Sequence, residues 1–139
     1  MTATPVTAAR DAGLFRRWIS RLWTNEVETG ASLAYPAVRP LELPVGPSAA
    51  YAAALETARA MPRWRIIAQD AGTRRIQAEA RTRLLRFVDD VEVWIVPLGA
   101  GWSRVRARSG SRVGFTDFGT NARRLRAYLA RVSRRALND

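Results

Sequence analysis

The sequence predicts an α+β protein: an antiparallel four-stranded meander sheet with two helices packed on one face, preceded by an N-terminal amphipathic helix. Three observations predict this. Apolar residues recur at helical spacing near both ends of the chain and in residues 48–61. Between Trp64 and Phe115 the period changes to two. Short turn sequences separate these alternating segments. Since each of the two later helices has one apolar stripe, both can cover the same sheet face in a two-layer sandwich.

The N-terminal third divides into three parts. Residues 1–10 are small and polar, which predicts a disordered terminus. Residues 11–24 follow a helical pattern, and residues 25–47 contain four prolines, which favour an extended connector. The apolar face of the 11–24 helix comprises Leu14, Phe15, Trp18, Ile19, Leu22 and Trp23.

From residue 48 to residue 139 the predicted order is helix, four strands, helix. Ser48 is the expected N-cap of the first helix, and Pro62 limits its far end. Two turns are expected, at residues 70–73 and 97–101. The last helix starts between Asp117 and Asn121.

The strands are expected at residues 64–69, from residue 74 onward, at 91–97 and at roughly 102–115. The segment between residues 74 and 96 is too long for one strand, so it must break. We place the break at Phe87–Asp90, although no glycine or proline marks it.

The amino-acid composition limits the functions that this protein could have. The 23 basic residues are all arginine and exceed the 12 acidic residues, giving a net charge of +11 that attracts anions. The sequence has no cysteine and no histidine, so thiol chemistry, the usual acid–base group and the commonest transition-metal ligand are missing. We therefore expect a protein that is not an enzyme and has no metal or cofactor. No apolar run reaches the ~18 residues that a membrane span needs, and a cytoplasmic location is expected.

Several motifs resemble the bacterial and plastid family catalogued as domain of unknown function 1499. The residues that carry the resemblance are Asp89, Asp90 and Val91; Arg108, Ser109, Ser111, Arg112 and Gly114; Asp117, Gly119, Asn121, Arg123 and Arg124; and the upstream pieces Glu28–Gly30 and Tyr35–Leu41. The resemblance covers most of residues 25–130 and implies no settled function. Many relatives begin with a signal or membrane segment, where this chain has the amphipathic helix.

Two adjacent aspartates and two serines are the side chains on the strands that could take part in catalysis or metal binding. Asp89 and Asp90 are neighbours on a strand and should point to opposite faces. The two interpretations are ion-paired structural acids, with Arg83, Arg86 or Arg112 as partners, and a catalytic or metal role. Ser109 and Ser111 have no histidine or lysine to activate them, which favours hydrogen-bonding or packing roles.

A candidate anion site lies around the start of the last helix. Cations there oppose the helix dipole, so something negative should compensate. One interpretation is that Asp117 does so as the cap. The other is that an anion docks on the free N–H groups, clamped by arginines. The candidate ligand-binding residues are Arg108, Arg112, Asn121, Arg123 and Arg124.

One sheet face is expected to be rich in arginine. It comprises Arg104, Arg106, Arg108 and Arg112 on the fourth strand and Arg75, Arg81 and Arg83 on the second, interrupted by Gln77, Glu79, Glu92 and Trp94. The two interpretations are a solvated face with weak cross-strand ion pairs and a basic platform for phosphate-bearing partners.

The helix at 11–24 has three interpretations: packing on the domain, binding an anionic membrane surface, and a homodimer contact. The candidate membrane or partner surface comprises Phe15, Trp18, Ile19, Leu22 and Trp23. The hypothesis that unites these features is a non-catalytic binding domain. Its arginine-rich surface engages an anionic lipid or another phosphate-bearing ligand, peripherally at a membrane. The alternative is a nucleic-acid-binding protein, and an enzyme of unknown type is third.

Overall fold

The computed structural model describes residues 25–28, 39–83, 87–111 and 118–138. The predicted terminus at 1–10 and the helix at 11–24 lie outside these residues. The element order is β1 (Asn25–Glu28), β2 (Leu41–Leu43), α1 (Pro47–Ala60), β3 (Trp64–Asp70), β4 (Arg75–Arg81), β5 (Val88–Gly99), β6 (Trp102–Ser111) and α2 (Phe118–Asn138). The α+β class is confirmed.

The predicted meander forms, but the sheet is wider than four strands. Strands β3, β4, β5 and β6 pair in sequence order, and β1 and β2 both pair with β6 on its far side. The six strands therefore occupy five positions. The prediction missed β1 and β2 because both lie in the proline-rich stretch. Pro40 precedes β2 and Pro44 follows it, so neither proline removes a donor from the ladder.

Helix α1 starts one residue before the expected position. Gly46, not Ser48, is its N-cap, and Pro47 is the first helical residue. Proline suits that position because its fixed φ is helical and its missing N–H would have had no partner there. The backbone N–H of Ala50 donates to the carbonyl of Gly46 at 2.9 Å, closing the first turn.

The predicted strand break at Phe87–Asp90 is misplaced. Strand β4 ends at Arg81 and β5 begins at Val88, so Asp89 and Asp90 lie within β5. Thr82 and Phe87 close the connection: the Thr82 N–H donates to the Phe87 carbonyl, and the Phe87 N–H donates to Thr82 Oγ1, both at 2.8 Å. The connection is thus closed by hydrogen bonds between Thr82 and Phe87, and not by a glycine or proline turn.

The turn between β5 and β6 is tighter than the five residues expected. Gly99 pairs with Trp102, and the two residues between them, Ala100 and Gly101, have φ angles of 53° and 79°. Two positive φ angles are what a two-residue type I′ hairpin requires. Because the turn has only two residues, β5 continues as far as Gly99.

The core lies between the two helices and one sheet face. It includes Leu43, Val91, Val93, Val105 and Leu125, all of them nearly inaccessible. The fully buried Tyr128 joins the two helices, because its hydroxyl donates to the carbonyl of Ala54 at 2.8 Å. Its ring also stacks on Trp64 with 5.0 Å between centroids. This packing fixes α2 against α1 and the start of β3.

Candidate anion-binding site

The two adjacent acids of β5 point to opposite faces of the sheet, as expected. Asp89 is paired with Ser111 of β6, whose side chain faces the helices, whereas Asp90 is paired with Gly110 and lies on the face away from them. Both aspartates are fully buried. They therefore belong to different environments and cannot hold one ion together.

Asp89 belongs to a buried polar network under the start of α2, which comprises Asp89, Ser109, Ser111, Asn121 and Arg124. Arg124 Nη1 lies 2.9 Å from Asp89 Oδ2. The same nitrogen donates to Asn121 Oδ1 at 2.8 Å and to Ser109 Oγ at 3.0 Å. Ser109 Oγ also donates to Asn121 Oδ1, and Asn121 Nδ2 donates to Ser111 Oγ at 3.3 Å. The network ties α2 to β5 and β6 at one end of the sheet.

Arg124 is the electrostatic centre of this network. Its side chain is 9% exposed and that of Asp89 is 0% exposed. Burial lowers the pKa of Arg124, the charge of Asp89 and the hydrogen bond to it raise the pKa, and the charge of Arg63 lowers it. Arg124 keeps its charge, because the ordinary pKa of a guanidinium lies so far above neutrality. The network therefore holds one buried cation, Arg124, beside one carboxylate, Asp89.

Five of the residues that carried the sequence resemblance form this network, and a family model matches residues 21–132, with the description "Protein of unknown function (DUF1499)". The chain belongs to the DUF1499 family. These five motif residues, Asp89, Ser109, Ser111, Asn121 and Arg124, come from β5, β6 and α2 and form a single connected set. No curated protein matches this DUF1499 chain.

Solved structures share the fold of this DUF1499 protein at low sequence identity. Ara h 8.0201 is 8% identical with a TM-score of 0.57, over 83% of this chain and 99% of its own. The di-domain ARO/CYC BexL from the BE-7585A biosynthetic pathway is 14% identical with a TM-score of 0.55, over 81% of this chain. The DUF1499 chain spans 46% of BexL, about half its length. These likenesses concern the fold alone.

Among the described residues of the predicted anion site, the structure brings together only two. Asn121 and Arg124 meet in the buried network, whereas Arg108 lies on the opposite sheet face, in register with Glu92. Arg123 is exposed on α2, where its Nη2 donates to Thr120 Oγ1 at 3.4 Å. Arg112 and Asp117 lie outside the described residues. Arg108 therefore does not join Asn121 and Arg124, because Arg108 and Ser109 alternate across β6.

The arginine-rich sheet face exists, and much of its charge is paired. Three ion pairs cross it: Arg75–Glu92 at 2.8 Å, Arg104–Glu42 at 2.7 Å and Arg65–Glu79 at 3.0 Å. The Arg106 guanidinium also lies over the ring of Trp94, 5.4 Å from its centroid. The interpretation as a face of cross-strand ion pairs describes these contacts better than a bare basic platform.

Among the exposed arginines of α2, sequence reasoning made only Arg123 a candidate site residue. The helix contains no acidic residue, and its exposed arginines form what we call the α2 arginine surface: Arg123, Arg126, Arg131, Arg134 and Arg135. Three of them, with Thr57, Ala60 and Asn138, line an open groove between α1 and α2. The feature of the sequence that could have revealed this surface is a helical segment with several arginines and no acidic residue.

The described residues contain neither a metal-binding cluster nor a membrane-spanning helix. No three His, Cys, Asp or Glu side chains gather there as a metal site would require. Among those same residues, no helix is both long and apolar enough to cross a bilayer.

Proposed function

We propose that this protein is a non-catalytic binding domain whose α2 arginine surface engages an anionic membrane, placing it peripherally at the cytoplasmic side. The observation that carries the proposal is the charge of α2. Its exposed side presents Arg123, Arg126, Arg131, Arg134 and Arg135, with no acidic residue anywhere in the helix. Such a surface attracts anions over the range of the Debye length.

The α2 arginine surface differs from the arginine-rich sheet face in how its charge is compensated. On the sheet face, Arg65, Arg75 and Arg104 each have a glutamate partner. On α2, Arg126, Arg134 and Arg135 make no hydrogen bond or ion pair with any residue in the described part of the chain. Uncompensated cations have more to gain from an external anion than paired ones, because no internal ion pair has to be broken.

The placement of the aromatic residues favours a membrane over a nucleic acid. Proteins that bind single strands use exposed aromatic rings on which bases stack. Here Trp64 is already stacked on Tyr128, and Trp94 lies under Arg106. Among the described residues Trp102, 44% exposed, is a single open ring rather than a row of rings. The exposed apolar residues instead include Leu137 in the last turn of α2, 57% exposed, beside the arginines. A basic surface with an apolar residue at its edge suits the lipid interface.

The side chains available also favour binding over catalysis. Histidine, lysine and cysteine do not occur in the sequence, so the common ways of activating a serine are missing. Ser109 donates its hydroxyl proton to Asn121 Oδ1, a neutral amide that is no base. We infer that the buried polar network positions α2 rather than performing a reaction, and that no cofactor is needed.

Co-sedimentation with vesicles tests this proposal. The test variant replaces Arg123, Arg126 and Arg134 by glutamine. The control replaces Arg39, Arg81 and Arg83, which are exposed residues outside α2. Both variants lose the same formal charge. Each arginine near an anionic surface contributes about 1 kcal/mol, so the α2 variant should bind phosphatidylserine vesicles roughly 100-fold more weakly.

The control variant should lose only a small part of its affinity, and neither protein should bind neutral phosphatidylcholine vesicles. Equal losses for the two variants would mean that total charge, not the α2 arginine surface, drives binding. If the α2 variant lost affinity for duplex DNA while vesicle binding was unchanged, the partner would be a nucleic acid and the membrane proposal would fail.

A further inference from the structure

Part of the α2 arginine surface forms one wall of the open groove between α1 and α2. The lining residues come from the last turns of the two helices: Thr57 and Ala60 from α1, and Arg131, Arg134, Arg135 and Asn138 from α2. The four α2 residues recur at steps of three and four, which places them on one side of the helix. The volume of the groove is about 580 Å³, within the roughly 300–1,000 Å³ that small-ligand sites occupy. Three guanidinium groups thus line one concave site.

The two helices are tied together beside this groove. The hydroxyl of Tyr128 on α2 donates to the carbonyl of Ala54 on α1 at 2.8 Å. Thr57 and Arg131, which line the groove, each lie three residues farther along their helices, so the groove begins about one turn beyond this hydrogen bond. Tyr128 is fully buried, and Thr57 is only 2% exposed. The groove is therefore built on packed residues, and its shape does not depend on the arginine side chains alone.

The cations of the groove have no carboxylate partner among the described residues. None of the six lining residues is acidic. In the described part of the chain, α1 and α2 together contain one carboxylate, Glu56, which pairs with Arg59 at 2.8 Å. Arg131 Nη1 lies 3.5 Å from Met61 Sδ, and a thioether is an uncharged, weak acceptor. The other two arginines of the groove make no hydrogen bond or ion pair with the described residues, so an external anion has no internal ion pair to displace there.

We propose that this groove binds a terminal phosphate group, which at the proposed membrane belongs to a lipid headgroup such as that of phosphatidic acid. A terminal phosphate has three free oxygens and a charge of about −1.5 to −2 near neutral pH, whereas the phosphodiester of phosphatidylserine has two free oxygens and one charge. Guanidinium groups bind phosphate oxygens through paired N–H donors, so three arginines suit the terminal phosphate better. The amide of Asn138 can bind a neighbouring hydroxyl or ester oxygen. This inference rests on the proposed function and adds a headgroup preference to it.

Vesicle binding by two double variants of the full chain tests the groove. The groove variant combines Arg131→Gln with Arg135→Gln, and the control variant combines Arg123→Gln with Arg126→Gln at exposed positions of α2 outside the groove. On phosphatidylserine vesicles the two should lose affinity to a similar extent, because both lose the same charge from α2. On phosphatidic acid vesicles of matched surface charge, the groove variant should bind at least tenfold more weakly than the control variant.

Filling the groove without changing its charge gives an independent test. Ala60→Gln extends a neutral side chain into the groove, and Ala52→Gln makes the same change at an exposed position of α1 outside it. Ala60→Gln should weaken binding to phosphatidic acid vesicles at least fivefold and change binding to phosphatidylserine vesicles less than twofold, whereas Ala52→Gln should change neither. Asp139 follows α2 in the sequence and lies outside the described residues. Every variant retains it, so its carboxylate does not affect the comparisons.

Calorimetric titration with glycerol 3-phosphate, which carries a terminal phosphate without acyl chains, separates this inference from the proposed function. Groove-dependent binding to phosphatidic acid vesicles supports the groove and identifies a lipid headgroup. Saturable binding of glycerol 3-phosphate that the groove variant weakens at least tenfold, without vesicle binding, supports the groove with a soluble phosphate ester and contradicts the membrane proposal. Equal losses by the groove and control variants on phosphatidic acid vesicles would overturn the groove and leave the membrane proposal standing.

Discussion

Arg124 on α2 reaches Asp89 on β5 at 2.9 Å, and both side chains are almost completely buried. A pair of this kind gains little net stability when intact, because both charges have been removed from water. Breaking it is costly, since one charge is then left buried without a partner. We therefore expect the pair to contribute mainly by holding α2 in one position on the sheet.

Asp89→Asn should lower the free energy of unfolding by about 3–5 kcal/mol, because it leaves the Arg124 charge uncompensated in the interior. Glu42→Gln is the control, as it makes the same carboxylate-to-amide change in the Arg104–Glu42 pair, where both side chains are substantially exposed. An exposed pair contributes at most about 1 kcal/mol. Urea unfolding of both variants measures the difference, and equal losses would show that the Asp89–Arg124 pair is not effectively buried.

The buried hydroxyl of Tyr128 should make the folded protein less stable at alkaline pH. Burial raises the pKa of its hydroxyl in the folded protein, whereas the unfolded chain titrates near the ordinary value of about 10. The unfolded state then binds fewer protons above that pH, so the free energy of unfolding should fall by about 1.4 kcal/mol per pH unit from this residue.

Tyr128→Phe removes this dependence together with the hydrogen bond to Ala54. The variant should be about 1 kcal/mol less stable than the parent at pH 9 and more stable than the parent at pH 11.5. Burial also raises the pKa of Tyr51, but that residue is present in both proteins and its effect cancels. Denaturant unfolding at the two pH values checks the sign. A stability difference that does not change with pH would contradict the account.

Arg63 has a left-handed backbone conformation, with a φ angle of 63°, that should cost stability. Arg63→Gly relieves this conformation, so the free energy of unfolding should be unchanged or higher by up to about 1 kcal/mol. In the control Arg65→Gly, the glycine replaces a residue within β3 and should lower stability by roughly 0.5–1 kcal/mol. Loss of stability in Arg63→Gly as large as in the control would mean that Arg63 is not strained.

The meander and the two packed helices could be predicted because their signals are local. Periodicity located β3, β4, β6 and α2 to within a few residues, and alternation assigned the faces of β6 correctly. The strands β1 and β2 could not be predicted in this way, since each has only a few residues and becomes a strand by pairing with β6, far along the chain. The break before β5 was misplaced because Thr82 and Phe87 close it without any glycine or proline.

The site was predictable only in part, because it depends on how α2 packs. Asn121 and Arg124 were identified from the motif at the start of the last helix. Asp89, however, pairs with Arg124, which was not among the partners expected for it, and this pairing follows from the position of α2 on the sheet.

The proposal that the α2 arginine surface contacts an anionic membrane is tested most directly by an environment-sensitive fluorophore on a single cysteine. The sequence has no cysteine of its own, so the label reports from one chosen position. Ala130 is exposed on α2, and Ala68 lies in β3, on the sheet face away from the helices. On addition of phosphatidylserine vesicles, the Ala130→Cys label should shift to the blue while the Ala68→Cys label does not. A blue shift at Ala68→Cys without one at Ala130→Cys would contradict the proposal.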